Sequence, residues 1–150
     1  MIGYRKVFLD TTPLIYLLDE DVNFGKTTQV ILYHFLQNDV DLITSTITCT
    51  EYLTYPYRTG NTEKVNAFFE FLTDCQIPTN PISIEVAKKA AEIRGKYSHF
   101  KTMDCLQLAT ACVYGCDLFL TNDNQLRQFE DIKCVTVEEL GRHLVDADKQ

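Results

Sequence analysis

Two apolar patterns alternate along the chain: short unbroken runs, and longer stretches in which apolar residues recur every three or four positions. The first fits strands buried on both faces, and the second fits helices that bury one side. Lys6-Val-Phe-Leu-Asp10 reads as a first strand that stops on an aspartate. Thr12 as an N-cap, with Pro13 in the first turn, then opens a short helix through Leu18. A second helix is expected from about Phe24 to Gln37, with Ile31, Leu32, Phe35 and Leu36 on its apolar side, followed by a strand over Asp41 to Thr44.

Ser45 or Thr46 can cap a third helix toward Tyr57, its extent limited by Pro56 and Gly60. Asn61 to Thr73 places Val65, Phe68, Phe69 and Leu72 at helical spacing, so this segment should fold back on its predecessor as a helical-hairpin arm. Pro78 and Pro81 mark a loop, after which Ser83 caps a helix with the stripe Val86, Ala90, Ile93, Tyr97. Thr102 is the candidate cap of the next helix, which carries Asp104 and ends near Gly115. Asp117 to Thr121 is again continuously apolar and runs into Asp123, and Lys133 to Val137 and Glu138 to Leu144 suggest a last strand and a last helix. No repeat, linker or low-complexity stretch interrupts this alternation. Residues 1–150 are therefore expected to form a single α/β domain with a mainly parallel sheet.

Composition adds constraints. At 150 residues the chain can bury about 68–70% of the surface its unfolded form would expose. The 45% hydrophobic content comes in short pieces, so no span of about 20 apolar residues suggests a membrane helix. The opening MIGYRKVFLDTTP lacks the apolar core and cleavage site of a signal peptide, so a cytoplasmic location is expected. The six cysteines are then expected to be reduced thiols, with Cys105 and Cys112 on the apolar stripe Cys105, Leu108, Ala109, Cys112, Val113. Cys112 and Cys116 are one residue too far apart for a CxxC zinc pair. A net charge of −7 argues against broad attraction to nucleic acid, although four carboxylates neutralised by metal ions would leave only a mild excess.

Four acids carry the candidate chemistry. In parallel sheets, ligands sit beyond the carboxyl ends of the strands, where Asp10 and Asp123 are expected. Asp104 falls in a first helical turn, which favours an anion, and Glu51 lies on a helix that follows directly from a strand. Each acid also has an ordinary structural role, as a helix-start, helix-face or turn residue; the four together on converging elements favour a site. Clustered carboxylates repel one another unless a proton or metal neutralises them, and hard oxygen donors select Mg²⁺ or Mn²⁺. Such a centre suits phosphoryl hydrolysis by a metal-activated water, and Thr11 and Thr121 lie beside the acids to hydrogen-bond a water or a phosphate oxygen.

These segments match a known pattern. Val7-Phe-Leu-Asp-Thr-Thr-Pro-Leu-Ile-Tyr-Leu-Leu18 resembles the opening of PIN domains, Asp104-Cys-Leu-Gln-Leu-Ala-Thr-Ala111 their central helix, and Asp117-Leu-Phe-Leu-Thr-Asn-Asp123 their strand ending in T-x-D. The resemblance implies a three-layer α/β/α sandwich and Mg²⁺ or Mn²⁺ held by Asp10, Glu51, Asp104 and Asp123. The resemblance further implies an endoribonuclease acting on single-stranded RNA, while the accessory catalytic role of Thr121 rests on its place beside the acids. Small members of this length look like VapC-type toxins, which dimerise and are silenced by a cognate antitoxin. The alternative is a catalytically silent PIN-like scaffold that binds RNA or protein. Glu51 is carried over mainly by its order, since Thr48-Cys-Thr-Glu-Tyr-Leu53 matches the family loosely.

Two further groups of residues bear on partners. Arg94, Lys96, His99 and Lys101 precede Asp104 and could guide a phosphate backbone, with Tyr97 and Phe100 as stacking faces; a solvated loop with Tyr97 packed inward fits equally well. Tyr52, Tyr55, Tyr57, Phe68, Phe69 and Phe71 make the arm aromatic, suited to a dimer or antitoxin groove or to packing of the helix pair itself. Gly25-Lys-Thr-Thr28 resembles the end of a phosphate-binding loop, but Glu20 stands where its leading glycine belongs. Thr12 excludes the second acid of a haloacid-dehalogenase-like phosphatase, and His34, His99 and His143 are scattered.

Overall fold

The computed structural model describes residues 3–148, which divide into two compact units, residues 3–41 with 116–148 and residues 42–115.

The first unit is built on three parallel strands, β1 (Lys6–Leu9), β4 (Leu118–Thr121) and β5 (Lys133–Thr136), with β4 in the middle. Val7, Phe8 and Leu9 pair in register with Leu118, Phe119 and Leu120, and all six side chains are buried. Side chains alternate sides along a strand, so burial of consecutive residues means that both faces of these strands are covered. The register partners Phe8 and Phe119 stack with ring centroids 5.1 Å apart. Helices α1 (Thr11–Leu18), α2 (Gly25–Gln37) and α7 (Val137–Asp148) belong to the same unit, with α2 packed on both α1 and α7. Gly25 is required where α2 meets α1, since a Cβ there would lie 3.1 Å from the Tyr16 carbonyl oxygen and 3.2 Å from the Glu20 backbone.

The second unit opens with β2 (Asp41–Ser45), which pairs in parallel with the two-residue β3 (Thr79–Asn80). The two prolines expected to mark a loop therefore flank a short strand: Thr44 donates its N–H to the Pro78 carbonyl at 3.0 Å, a bond that needs no donor from proline. Helix α3 (Thr46–Arg58) starts on Ser45, whose hydroxyl accepts from the Ile47 N–H at 3.1 Å. Pro56 lies inside this helix instead of limiting it, and the chain turns only after Thr59, where Gly60 adopts φ +67°. Helix α4 (Thr62–Asp74) is capped by Asn61 and folds back on α3, with Tyr52 and Phe68 stacked 4.7 Å apart, so the expected hairpin arm is present. Helix α5 (Ile84–Lys96), capped by Ser83, buries Val86, Ala90 and Ile93 and packs on α6 (Thr102–Val113).

Helix α6 differs from a one-sided amphipathic helix. Its five consecutive residues Gln107 to Ala111 are buried, so the middle of the helix is enclosed on every side and the stripe through Cys105, Leu108 and Ala109 is only part of it. Among the described residues no helix is long and apolar enough to cross a membrane.

Candidate functional site

Asp10 occupies the step from β1 into α1. Its backbone N–H continues the strand ladder to the Leu120 carbonyl at 3.0 Å, and its side chain then caps the helix by accepting from the Thr11 N–H at 2.9 Å. The cap is thus Asp10 and not Thr12, because the strand ends in extended geometry on Asp10 and the helix begins at once. Pro13, third in the helix, sits where no intrahelical donor is required. The other carboxylate oxygen accepts from the Thr121 hydroxyl at 2.8 Å, and Asp10 is only 8% exposed.

Thr121 ends the adjacent strand and serves two acids. The oxygen that donates to Asp10 accepts from the Asp123 N–H at 3.1 Å, and Asp123 in turn caps the 3₁₀ turn Asn124–Gln128 by accepting from the Gln125 N–H at 2.9 Å. Asn122, between them, donates to the Tyr16 hydroxyl. Burial and the nearby charge of Asp21 push the Tyr16 phenol up, against the opposing hydrogen bond from Asn122, so the hydroxyl stays protonated. Asp10, Thr121 and Asp123 are thereby joined within the first unit.

Glu51 and Asp104 both belong to the second unit, on α3 and α6, which pack together. Glu51 is exposed and Asp104 half-buried in the first turn of α6. That helix begins at Lys101 without a side-chain cap; the expected cap Thr102 is its first residue, and its hydroxyl accepts from the Arg94 Nε at 2.9 Å. Beneath these acids runs a polar network that the sequence did not single out. Gln107 donates from Nε2 to the Thr48 hydroxyl at 2.8 Å and accepts from the Ser45 hydroxyl, while Thr44 also donates to Thr48 at 2.8 Å. A glutamine amid residues at core spacing is the only signal that could have pointed to it. Asn80, the register partner of Ser45, keeps its side-chain oxygen buried without a hydrogen-bond partner among the described residues.

The basic segment before Asp104 is partly corrected. Tyr97 and Phe100 are 9% and 2% exposed and stack on each other at 4.8 Å, so neither offers a face to a nucleotide base. Arg94, Lys96, His99 and Lys101 remain exposed, with the Lys96 ammonium 5.4 Å from the Tyr97 ring centroid. The six cysteines are thiols outside any disulfide. Burial pushes the Cys49, Cys75 and Cys105 thiols up, which makes them poor nucleophiles.

Among the described residues no group of three or more His, Cys, Asp and Glu side chains forms a ready-made metal cage. The side-chain donors that do meet in the first unit, the Asp10 carboxylate and the Thr121 hydroxyl, are hard oxygens of the kind that Mg²⁺ and Mn²⁺ take, with Asp123 held two residues beyond Thr121 by its backbone N–H. A cleft of about 600 Å³ between α2 and α7 is lined by Lys26, Val30, Arg142 and Val145 among others, and by none of these acids.

No curated protein sequence matches the chain significantly. VapBC2 from Rickettsia felis, solved bound to a DNA fragment from its promoter, is 14% identical with a TM-score of 0.72, covering 87% of this chain and 98% of that one. A toxin-antitoxin complex from Klebsiella pneumoniae gives 20% identity and a TM-score of 0.68 over 87% of this chain and 97% of that one. The Mycobacterium tuberculosis VapC20, a toxin that cleaves the sarcin-ricin loop, gives 15% identity and a TM-score of 0.61 over 85% and 98%. These likenesses show a PIN-like α/β/α fold. The sequence signature of the PIN domain matches residues 7–132, so the chain belongs to the PIN domain family.

Proposed function

We propose that this chain is a divalent-metal-dependent endoribonuclease, a hydrolase of RNA phosphodiester bonds that acts as the toxin of a toxin-antitoxin pair. The observation that carries the reading is the Asp10–Thr121–Asp123 assembly: one hydroxyl donates to the Asp10 carboxylate and accepts from the Asp123 backbone N–H, in a chain of the PIN family. In this reading residues 1–150 work as a single domain, in which Asp10, Glu51, Asp104 and Asp123 hold Mg²⁺ or Mn²⁺. Bound there, the ion would supply an acidified water and offset the charge that develops on the leaving oxygen.

The chain's own residues prepare that centre. The Thr11 N–H and the Thr121 hydroxyl hold the two Asp10 oxygens in fixed directions. Thr121 also sets the turn that presents Asp123, so one hydroxyl aligns both acids before a ligand arrives. Exposed Arg94, Lys96 and Lys101 would draw a phosphate backbone toward the start of α6.

The toxin role and an antitoxin partner are carried over from the toxin-antitoxin complexes that share the fold, and a homodimer is proposed beside them. Tyr55 and Tyr57 on α3 and Phe69 on α4 are exposed and would serve such contacts. A cytoplasmic site of action follows from an RNA target and accords with six cysteines outside any disulfide. The test is cleavage of single-stranded RNA with Mg²⁺ or Mn²⁺ by the parent, Asp10→Asn and Asp104→Asn. Cutting by the parent alone is expected. Equal cutting by all three would remove the reading, and RNA binding without cleavage under any divalent ion would replace it with a silent scaffold.

A further inference from the structure

We infer that Gln107 is a positioning residue for the acids of the second unit, its amide tying α6 to α3 one helical turn from Asp104 on one side and, through Thr48, one turn from Glu51 on the other. The inference rests on the proposed metal role of those two acids.

The carboxamide is 1% exposed, and Thr44, Ser45 and Thr48 are fully buried. Four polar side chains withdrawn from water are tolerated only when they satisfy one another, and these do: Ser45 donates to Oε1, Nε2 donates to Thr48 at 2.8 Å, and Thr44 donates to Thr48 at 2.8 Å. Ser45 is at the same time the N-cap of α3. A single amide therefore grips both the cap and the first turn of the helix that carries Glu51.

Apolar side chains of similar volume could fill this space, but they would define the helix contact less sharply. Dispersion contacts vary gently with sliding and rotation, whereas a hydrogen bond weakens steeply away from its distance and angle. Asp104 precedes Gln107 by three residues and Glu51 follows Thr48 by three, a spacing at which side chains share a helix face. Slippage of α6 along α3 would carry Asp104 and Glu51 past each other. The tie opposes that displacement, so its consequence falls on metal affinity in the folded protein, beyond any effect on stability.

The experiment uses the full chain with Mn²⁺ as the probe and reads three quantities: Mn²⁺ affinity by calorimetric titration without RNA, thermal midpoint, and RNA cleavage across Mn²⁺ concentrations. Gln107→Met should weaken Mn²⁺ binding about tenfold, the scale of lost outer-shell support, with cleavage recovering as Mn²⁺ is raised. Thr48→Val should do the same, the double variant should be no worse than either single one, and Thr48→Ser, which keeps the hydroxyl, should retain the parent's affinity. Ile93→Val, a buried change on α5, should lower the thermal midpoint and leave Mn²⁺ affinity alone. If Gln107→Met does not fold, the contrast between Thr48→Val and Thr48→Ser decides. Unchanged Mn²⁺ affinity in folded Gln107→Met and Thr48→Val, with a parent that binds Mn²⁺, overturns this inference alone. A parent that neither binds Mn²⁺ nor cuts RNA overturns the nuclease reading and this inference together.

Discussion

Asp10 and Asp104 both stand at the start of a helix, yet they are held in different ways. Asp10 is fixed by its immediate surroundings: the ladder bond to Leu120, the adjacent Thr11 N–H, and a hydroxyl from the strand paired in register with its own. Asp104 opens a helix without a side-chain cap, and what locates that helix is its packing on α5 and a buried amide that reaches α3. A strand-end acid inherits its place from register, whereas a helix-borne acid inherits its place from how helices lock. The first arrangement has few ways to drift; the second needs a directional tie.

The contrast can be broken at several levels. The largest effect is expected from Asp10→Asn, which keeps the side chain's shape and removes its charge: cleavage should fall by more than about 100-fold, beyond the usual loss from outer-shell changes, and Glu51→Gln should cost less. Steady-state cleavage of a single-stranded RNA measures this, and a larger loss from Glu51→Gln would reverse the ranking. Next comes Phe119→Ala, which empties half of the stack against Phe8 and should destabilise by about 3–5 kcal/mol in urea unfolding. A small change there would mean that the register holding Asp10 does not depend on that stack.

Thr121→Val removes the hydroxyl shared by Asp10 and Asp123 at nearly constant volume. It should cost about 1–3 kcal/mol of stability and about 10–100-fold in cleavage. Kinetics and unfolding on the same preparation would sharpen the comparison: stability lost without a change in cleavage would make the hydroxyl a purely structural bond.

A pH effect follows from the second unit's thiols. Cys49, Cys75 and Cys105 are raised from their ordinary value of 9.0 by burial, so the folded chain keeps its protons where the unfolded chain loses them. Their contribution is therefore full below about pH 9 and is lost as pH rises above it. Urea midpoints at pH 8 and pH 10 should show the decline, reduced in a Cys105→Ala variant. Smallest of all, Gln76→Gly after α4 should stabilise by about 0.5–1 kcal/mol, because Gln76 holds φ +54°, a conformation that costs a residue with a Cβ. A lower unfolding midpoint in that variant would count against the strain.

The sequence by itself determined the elements and the local placement of three acids. Val7-Phe-Leu and Leu118-Phe-Leu read as buried strands, and each is followed closely by an acid, because apolar runs state burial on both faces and polar residues state where burial stops. The hairpin arm was legible in the spacing of Val65, Phe68 and Leu72, and Ser83 in its place before an apolar stripe. Boundaries were less legible: Asp10 took the cap assigned to Thr12, and β3 formed between two prolines, because both depend on which backbone groups a neighbouring strand leaves to be satisfied. Only the tertiary structure decided that Tyr97 and Phe100 stack on each other and are buried, that Thr121 serves two acids, and that Gln107 meets Thr48 across 59 residues. The physical reason is range. Periodicity records whether a side chain is buried, but a hydrogen bond between helices depends on their relative rotation and slide, which emerge when the whole core packs.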